Sequence, residues 1–410
     1  MEVRYRLRQL VSLVSVAVIL AWGHSFAGQA PATDAHQSQG VQIEGITGEG
    51  GQRDASLFRR NAGNTHPLVA ATYLGGSAQD QGWPSTPAAI DAAGNIVFAI
   101  LTYSSGLATS GSYQPGYGGG GDVLLVKMDP QLTSVLAATY LGGSGAESAF
   151  SLSIDNNGHI YVGGLTSSSN FPTTLGAYDI TRAGDEGFVA KFNADLDTLL
   201  ASTFVGGSAS DRIDDIALSG DGSVYAVIMT ASTNLVATPG TIDNAYSGGA
   251  SDYFLVRLDS GLTAALAATY LGGNSDEFRA RLHTDANNDI YVTGCTFSTN
   301  WPMTPGAFDA VNGGGSMDAI ILHIDKELTT ILASTYIGGN YTDWIYCVDL
   351  AANGDLYISG HASGGWPVTS GCFDPTYGGP IDAEDSYVTR MSGDLTTLKA
   401  STFLGGAAWD

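Results

Sequence analysis

The chain has 410 residues, 55 of them Gly, and a formal net charge of −24 from 16 Lys+Arg against 40 Asp+Glu, while 44% of it is hydrophobic. So few basic residues exclude a surface that tracks nucleic-acid phosphates. Ample apolar content excludes intrinsic disorder, and so much glycine excludes a mainly helical chain. A Gly-punctuated β protein large enough to bury a core remains.

The chain opens on Arg4, Arg6 and Arg8, then an almost wholly apolar run from Leu10 to Trp22, then Ser25-Phe26-Ala27. A basic start, a short apolar run and a small-x-small site are the pattern of a secretory signal peptide over residues 1–27. The run is shorter than the roughly 20 residues a membrane span needs. Cleavage removes three Arg and Glu2 and takes the net charge from −24 to −26. No second long apolar stretch follows, so the mature chain is expected to be secreted or held at the cell surface, with no membrane span. Residues 28–66 are polar, lack periodicity and read as a flexible lead-in.

From residue 67 onward the chain repeats itself. The phrase Thr72-Tyr73-Leu74-Gly75-Gly76 returns, with small variations, at Thr139, Thr203, Thr269, Thr335 and Thr402, at spacings of 67, 64, 66, 66 and 67 residues. Each unit reads as four short strands. In the unit from Thr139, Phe150–Ile154 alternates, Asp155-Asn156-Asn157-Gly158 is turn chemistry, and Ile160–Val162 is a second strand. A long loop with Phe171-Pro172 follows, then strands at Phe188–Phe192 and Leu199–Val205. Gly94, Gly222 and Gly354 repeat the turn glycine, with Asn288 in its place in the fourth unit.

This pattern predicts an all-β chain, a β-propeller of four-stranded antiparallel blades of about 66 residues each. Five full blades are expected, plus an extra fourth-type strand at 68–74, with a sixth unit begun at Thr402. On that count the chain reads as part of a longer protein.

The phrases T-Y-L-G-G, Tyr161-Val162-Gly163-Gly164-Leu165-Thr166 and Phe171-Pro172-Thr173-Thr174-Leu175-Gly176-Ala177-Tyr178-Asp179 together resemble the SBBP-type β-propeller repeat. The unit from Thr269 repeats them at Tyr291–Thr296 and Trp301–Asp309, and the first and third units depart from them at Val97, Gln114 and Leu235. The resemblance implies an exported or surface-associated prokaryotic protein. It implies no defined catalytic chemistry, so no active-site residue is carried over.

The acidity falls into columns. Four residues after the second Gly of each anchor stand Asp80, Glu147, Asp211, Glu277, Asp343 and Asp410. A second column in the long loop holds Asp179, Asp243, Asp309 and Asp374, with Gln114 in the first unit. A third, before the third strand, holds Asp122, Glu186, Asp252, Asp318 and Asp385, with Lys127, Lys191, Arg257, His323 and Arg390 five residues further on. The first two columns lie in loops expected on one propeller face. They read either as repeated turn caps or as an acidic binding face for a protein, a glycan or a cation. No D-x-D-x-D-G loop is present, so no cofactor is expected, and calcium is the one cation the pattern leaves open. The third column, with its basic followers, suggests pairing between strands. Phe171, Trp301 and Trp366 share one loop position. They read either as exposed stacking platforms or as pins that hold the loop to its blade.

No catalytic constellation emerges. A sialidase-like box at Ser153–Asn157 is a near miss that reads as a hairpin turn. The histidines lack zinc-ligand spacing, and no nucleophile elbow or phosphate loop is present. Cys347 and Cys372 belong to one unit and could pair, Cys295 standing apart. The expected function is a non-catalytic, exported scaffold or binding module. The alternative is a polysaccharide hydrolase or lyase, whose active unit should break the repeat, with Arg212, Asp214 and Asp215 the first place to look.

Overall fold

The computed structural model describes residues 70–82, 86–315, 317–379 and 384–406. The signal peptide at 1–27, the lead-in at 28–66 and Asp410 lie outside the described residues. The chain divides into two units, Met1–Tyr73 and Leu74–Asp410, and everything below concerns the second.

Five antiparallel sheets follow one another. The first holds β1 (Asp80–Gln81), β2 (Ala88–Ile90), β3 (Ile96–Thr102), β4 (Asp122–Met128) and β5 (Val135–Leu141), with the two short pieces β1 and β2 both paired to β3. The second holds β6 (Glu147–Ile154), β7 (Ile160–Thr166), β8 (Glu186–Phe192) and β9 (Leu199–Val205). The third holds β10 (Asp211–Leu218), β11 (Val224–Thr230), β12 (Asp252–Leu258) and β13 (Ala265–Leu271). The fourth holds β14 (Glu277–Thr284), β15 (Ile290–Thr296), β16 (Asp318–Ile324) and β17 (Ile331–Ile337). The fifth holds β18 (Asp343–Leu350), β19 (Leu356–Ala362), β20 (Asp385–Met391) and β21 (Leu398–Leu404).

Strand order equals chain order in the second to fifth sheets, and in the first with β1 and β2 together lying along β3, the up-and-down blade of a β-propeller. The first hairpin turns as its residues dictate. Gly94 and Gly158 sit at φ of 85° and 82°, and Asn288 takes the same left-handed region at 68°.

The anchor phrase closes each sheet, as the fourth strand at Leu199–Val205 leads one to expect: its Thr-Tyr pair lies in the outermost strand and its Gly-Gly pair is the crossing to the next sheet. Residues 398–404 therefore complete the fifth sheet. No strand forms over the described residues 70–79, so no extra leading strand is seen among them.

Each sheet buries both faces where it lies between two others. Val97, Ala99, Val123 and Leu125 of the first sheet pack on Val162, Phe188, Ala190 and Phe204 of the second, and the later junctions repeat this. Substantial strand contacts join consecutive sheets only, and among the described residues none joins the fifth to the first. The innermost strands β6, β10, β14 and β18 touch in succession.

The long loop of each unit lies along its own outermost strand. Tyr140, Phe204, Tyr270, Tyr336 and Phe403 donate their N–H groups to the carbonyls of Gln114, Asp179, Asp243, Asp309 and Asp374. The anchor threonine hydroxyl accepts the loop N–H, as from Asp179 to Thr203 at 2.8 Å and from Asp309 to Thr335 at 2.9 Å. The anchor tyrosine reaches back to the loop as well. Tyr140, Tyr270 and Tyr336 donate to the carbonyls of Ser104, Ser232 and Ser298 at 2.7 to 2.9 Å.

Candidate functional site

The first acidic column is not a surface ring. Glu147, Asp211, Glu277 and Asp343 open the innermost strands and are buried, and Asp80 is half-buried. The N–H of the second anchor glycine donates to the carboxylate, at 2.7 Å from Gly76 to Asp80, 3.0 Å from Gly143 to Glu147 and 2.8 Å from Gly339 to Asp343. A threonine ending the neighbouring strand adds its hydroxyl, as from Thr166 to Glu147 at 2.7 Å and Thr296 to Glu277 at 2.9 Å. The expected acidic face is therefore corrected. These carboxylates take up donors left bare where the chain crosses between sheets, so the fold consumes them.

The second column, Asp179, Asp243, Asp309 and Asp374, is half-buried along the outer strands. Each caps the residue two ahead, as in Thr181 N–H to Asp179 at 2.7 Å and Val311 N–H to Asp309 at 3.0 Å. These are Asx turns.

The third column meets the first. Asp122, Glu186, Asp252, Asp318 and Asp385 are buried, and in each one oxygen accepts a loop N–H. The other oxygen, buried too, has no hydrogen-bond partner in any of the five. In the first four sheets it lies near the first-column carboxylate of the next sheet. A Cβ on Gly142 would lie 2.5 Å from Glu147 Oε2 and 2.7 Å from Asp122 Cγ, so only glycine leaves room between the two groups. Burial, with a like charge alongside, pushes Asp122 up to about 6, Glu186 and Asp318 to about 7 and Asp343 to about 8.

The third column does not pair with the basic residues that follow it. Five residues along a strand span roughly 16 Å, which puts the two groups at opposite ends of the sheet. Lys191 donates to the Ser260 carbonyl at 3.2 Å, and the Lys and Arg of the other units meet the first-hairpin turn. Lys127 reaches Asp91 at 2.9 Å and Arg257 reaches Asp221 at 2.6 Å, while Arg390 and Lys399 converge on Asp355. In the fourth unit His323 stands in this column, stacked on Tyr291 with ring centroids 4.0 Å apart and 3.7 Å from Asp285. With Asp289 it forms a half-buried trio whose ligand atoms lie within 4.8 Å of one another, a set that could hold a cation. Burial holds the His323 imidazole low against the pull of Asp285 and Asp289. The histidine-spacing test missed this trio because its members are 34 and 38 residues apart. The signal was the break in the Lys/Arg column.

Phe171, Trp301 and Trp366 are buried, which corrects the stacking-platform reading and supports the pins. Phe171 packs 4.5 Å from Phe188, and Trp366 stacks 3.6 Å from Tyr387. The Trp301 backbone N–H donates to the Tyr336 hydroxyl at 3.1 Å, and the backbone N–H groups of Leu107 and Leu235 make the same bond to Tyr140 and Tyr270 without an aromatic ring.

Asp214 and Asp215 lie at a β-bulge in β10. Arg212 reaches Asp214 at 2.6 Å, and both carboxylates receive backbone N–H groups from the fourth sheet. They join the third sheet to the fourth. The near-miss box at Ser153–Asn157 is the β6–β7 hairpin, with Asp155 accepting the Asn157 and His159 N–H groups. Cys295, Cys347 and Cys372 form no disulfide.

At residues 138–172 the chain matches the family model described as SBBP, beta-propeller repeat. This stretch is an SBBP-type repeat. No curated protein matches the chain. Among solved structures, a Dyadobacter fermentans protein of unknown function is 11% identical with a TM-score of 0.41, covering 78% of this chain and 82% of that one. A neuraminidase-like N10 protein of influenza A/little yellow-shouldered bat/Guatemala is 8% identical with a TM-score of 0.39, covering 78% and 80%. The quinohemoprotein alcohol dehydrogenase ADHIIG of Pseudomonas putida HK5 is 10% identical with a TM-score of 0.39, covering 78% and 52%.

Proposed function

We propose that the chain is an exported, non-catalytic β-propeller scaffold or binding module that engages its partner through a sheet face. One observation carries this reading. Tyr357, Val388 and Leu404, on the outward face of the fifth sheet, are 36%, 39% and 46% exposed. Their counterparts in the fourth sheet, Tyr291, Ile321 and Ile337, are buried under the fifth. The face by which each preceding sheet docks onto the next is thus apolar on the fifth sheet too, and it suits a β-sheet of the same repeat chemistry, a further repeat or a partner alike. The acidic columns and loop aromatics are committed within the fold, which turns attention from the acidic loop face to this apolar one.

The test uses the secreted chain. N-terminal sequencing should begin just after Ala27. A glycan array and a panel of glycoside hydrolase and lyase substrates should give no turnover, and turnover would overturn the scaffold reading. Any partner bound through this face should be lost on Val388→Asp and Leu404→Asp and kept on Asp179→Asn.

A further inference from the structure

We propose that Asp285, Asp289 and His323, at one end of the fourth sheet, hold a divalent transition-metal ion of the zinc type. One ligand atom from each lies within 4.8 Å of the other two, and all three residues are half-buried. His323 Nε2 is itself buried and has no hydrogen-bond partner. It stands 3.7 Å from Asp285 Oδ2, too far for a hydrogen bond. Two ligands of one tetrahedral zinc, each about 2.1 Å from the ion, stand roughly 3.4 Å apart. The gap is close to the span of a shared metal, and a small turn of a carboxylate closes the rest.

The ligands are held in place by the fold. The His323 ring lies flat on Tyr291, with centroids 4.0 Å and planes 7° apart, and the Tyr291 hydroxyl donates to the Gly393 carbonyl at 2.9 Å. Asp285 Oδ1 accepts the N–H groups of Asn287 and Asp289 at 2.8 and 2.9 Å, which leaves Oδ2 as the oxygen near the imidazole. Asp289 Oδ1 accepts the Lys326 N–H at 2.9 Å. The β14–β15 turn thus fixes both carboxylates, and pairing of β16 with β15 sets His323 opposite Tyr291.

The repeat supplies a second, independent reason. At this hairpin the first unit sets Lys127 against Asp91, the third Arg257 against Asp221, and the fifth Arg390 and Lys399 against Asp355. The fourth unit brings two carboxylates together with His323 in the base's place, and among the described residues no Lys or Arg forms an ion pair with either. A metal ion supplies the missing positive charge. The competing arrangement is a protonated His323 paired with Asp285. Such a charged pair closes to about 2.8 Å, which the 3.7 Å gap does not match. Calcium and magnesium favour shells of oxygen, whereas an imidazole beside carboxylates suits zinc and its transition-metal neighbours. Three protein ligands at a half-buried site leave a further coordination position to water.

The whole mature chain is stripped with chelator and titrated with zinc chloride at pH 7.5 against a chromogenic zinc indicator. One zinc per chain should bind at this site, and about a hundredfold excess of calcium chloride should not displace it. Cobalt(II) in its place should give the visible absorption of a nitrogen- and oxygen-ligated ion. His323→Ala and Asp289→Asn should each weaken zinc by roughly tenfold or more. His159→Gln should keep the ion, and so should the Cys347→Ser/Cys372→Ser double variant, which removes the two thiols that are not buried. His323→Lys, which restores the base of the other units, should fold, lose the ion and show no cobalt absorption. The proposal falls if the stripped chain binds no zinc at micromolar concentration, or if His323→Lys binds as many ions as wild type. It falls equally if the thiol double variant loses the ion while the His323 and Asp289 variants keep it. Should His323→Ala not fold, the His323→Lys ion count decides.

Discussion

Ser151 donates its hydroxyl to Asp215 Oδ1 at 2.5 Å, across the join between the second and third sheets. Asp215 Oδ2 accepts the Leu282 N–H of the fourth sheet at 2.9 Å. One half-buried carboxylate thus ties β6, β10 and β14 together. Asp215→Ala strands the Leu282 N–H and the Ser151 hydroxyl and should cost about 3 kcal/mol in urea unfolding. Asp215→Asn keeps an acceptor for Leu282 and should cost less than half of that.

The buried junction acids set a pH dependence. Burial, first, and the neighbouring carboxylates, second, raise Asp122 to about 6, Glu186 and Asp318 to about 7, and Asp343 to about 8. Unfolded, these groups titrate near 4. Between about pH 4 and 8 the folded chain therefore binds more protons, and its stability falls as pH rises. In chelator, Tm should drop steadily from pH 5 to pH 8.5. Asp343→Asn should flatten that slope, and an unchanged slope would remove Asp343 from the account.

Gly142→Ala places a methyl group between Glu147 and Asp122, at 2.5 and 2.7 Å from their nearest atoms. The clash should lower stability by roughly 1–3 kcal/mol. Neutralising one partner with Asp122→Asn should not rescue it, because the obstacle is volume. Thermal melts of the single and double variants check this.

His323→Lys restores the base that the first unit uses against Asp91. An ammonium there should pair with Asp285 and Asp289 and raise Tm at pH 8, by an amount worth up to about 1 kcal/mol. The gain should shrink in high salt. No gain at low salt would show that the imidazole's stack on Tyr291 outweighs the lost charge.

The repeat could be read because it is linear in the chain. Strand order, hairpin turns and the antiparallel blade all follow from local residue types, and Asn288 took the place of Gly for the reason its side chain predicts. The fate of the columns could not be read, because burial is a property of neighbouring sheets. Asp252 and Glu277 are 25 residues apart and belong to different blades. Nothing in their own segments says that they face each other. The basic column misled for a simpler reason: a five-residue offset looks close on paper and is a strand length apart in space. Trp301 and Trp366 could be read as platforms or as pins, because loop sequence alone does not say which way a ring turns; the loop folds them inward onto Tyr253 and Tyr387.

The loop laid along every outermost strand has a consequence for association between molecules. Those strands would otherwise present bare backbone groups, a template for edge-to-edge growth. With Gln114, Asp179, Asp243, Asp309 and Asp374 each already holding an N–H of the outermost strand beside it, that stretch of each rim is taken up within the sheet. A protein rich in strands can then stay dispersed at high local concentration, and such crowding as it meets is channelled to flat faces, where fit must be earned by shape.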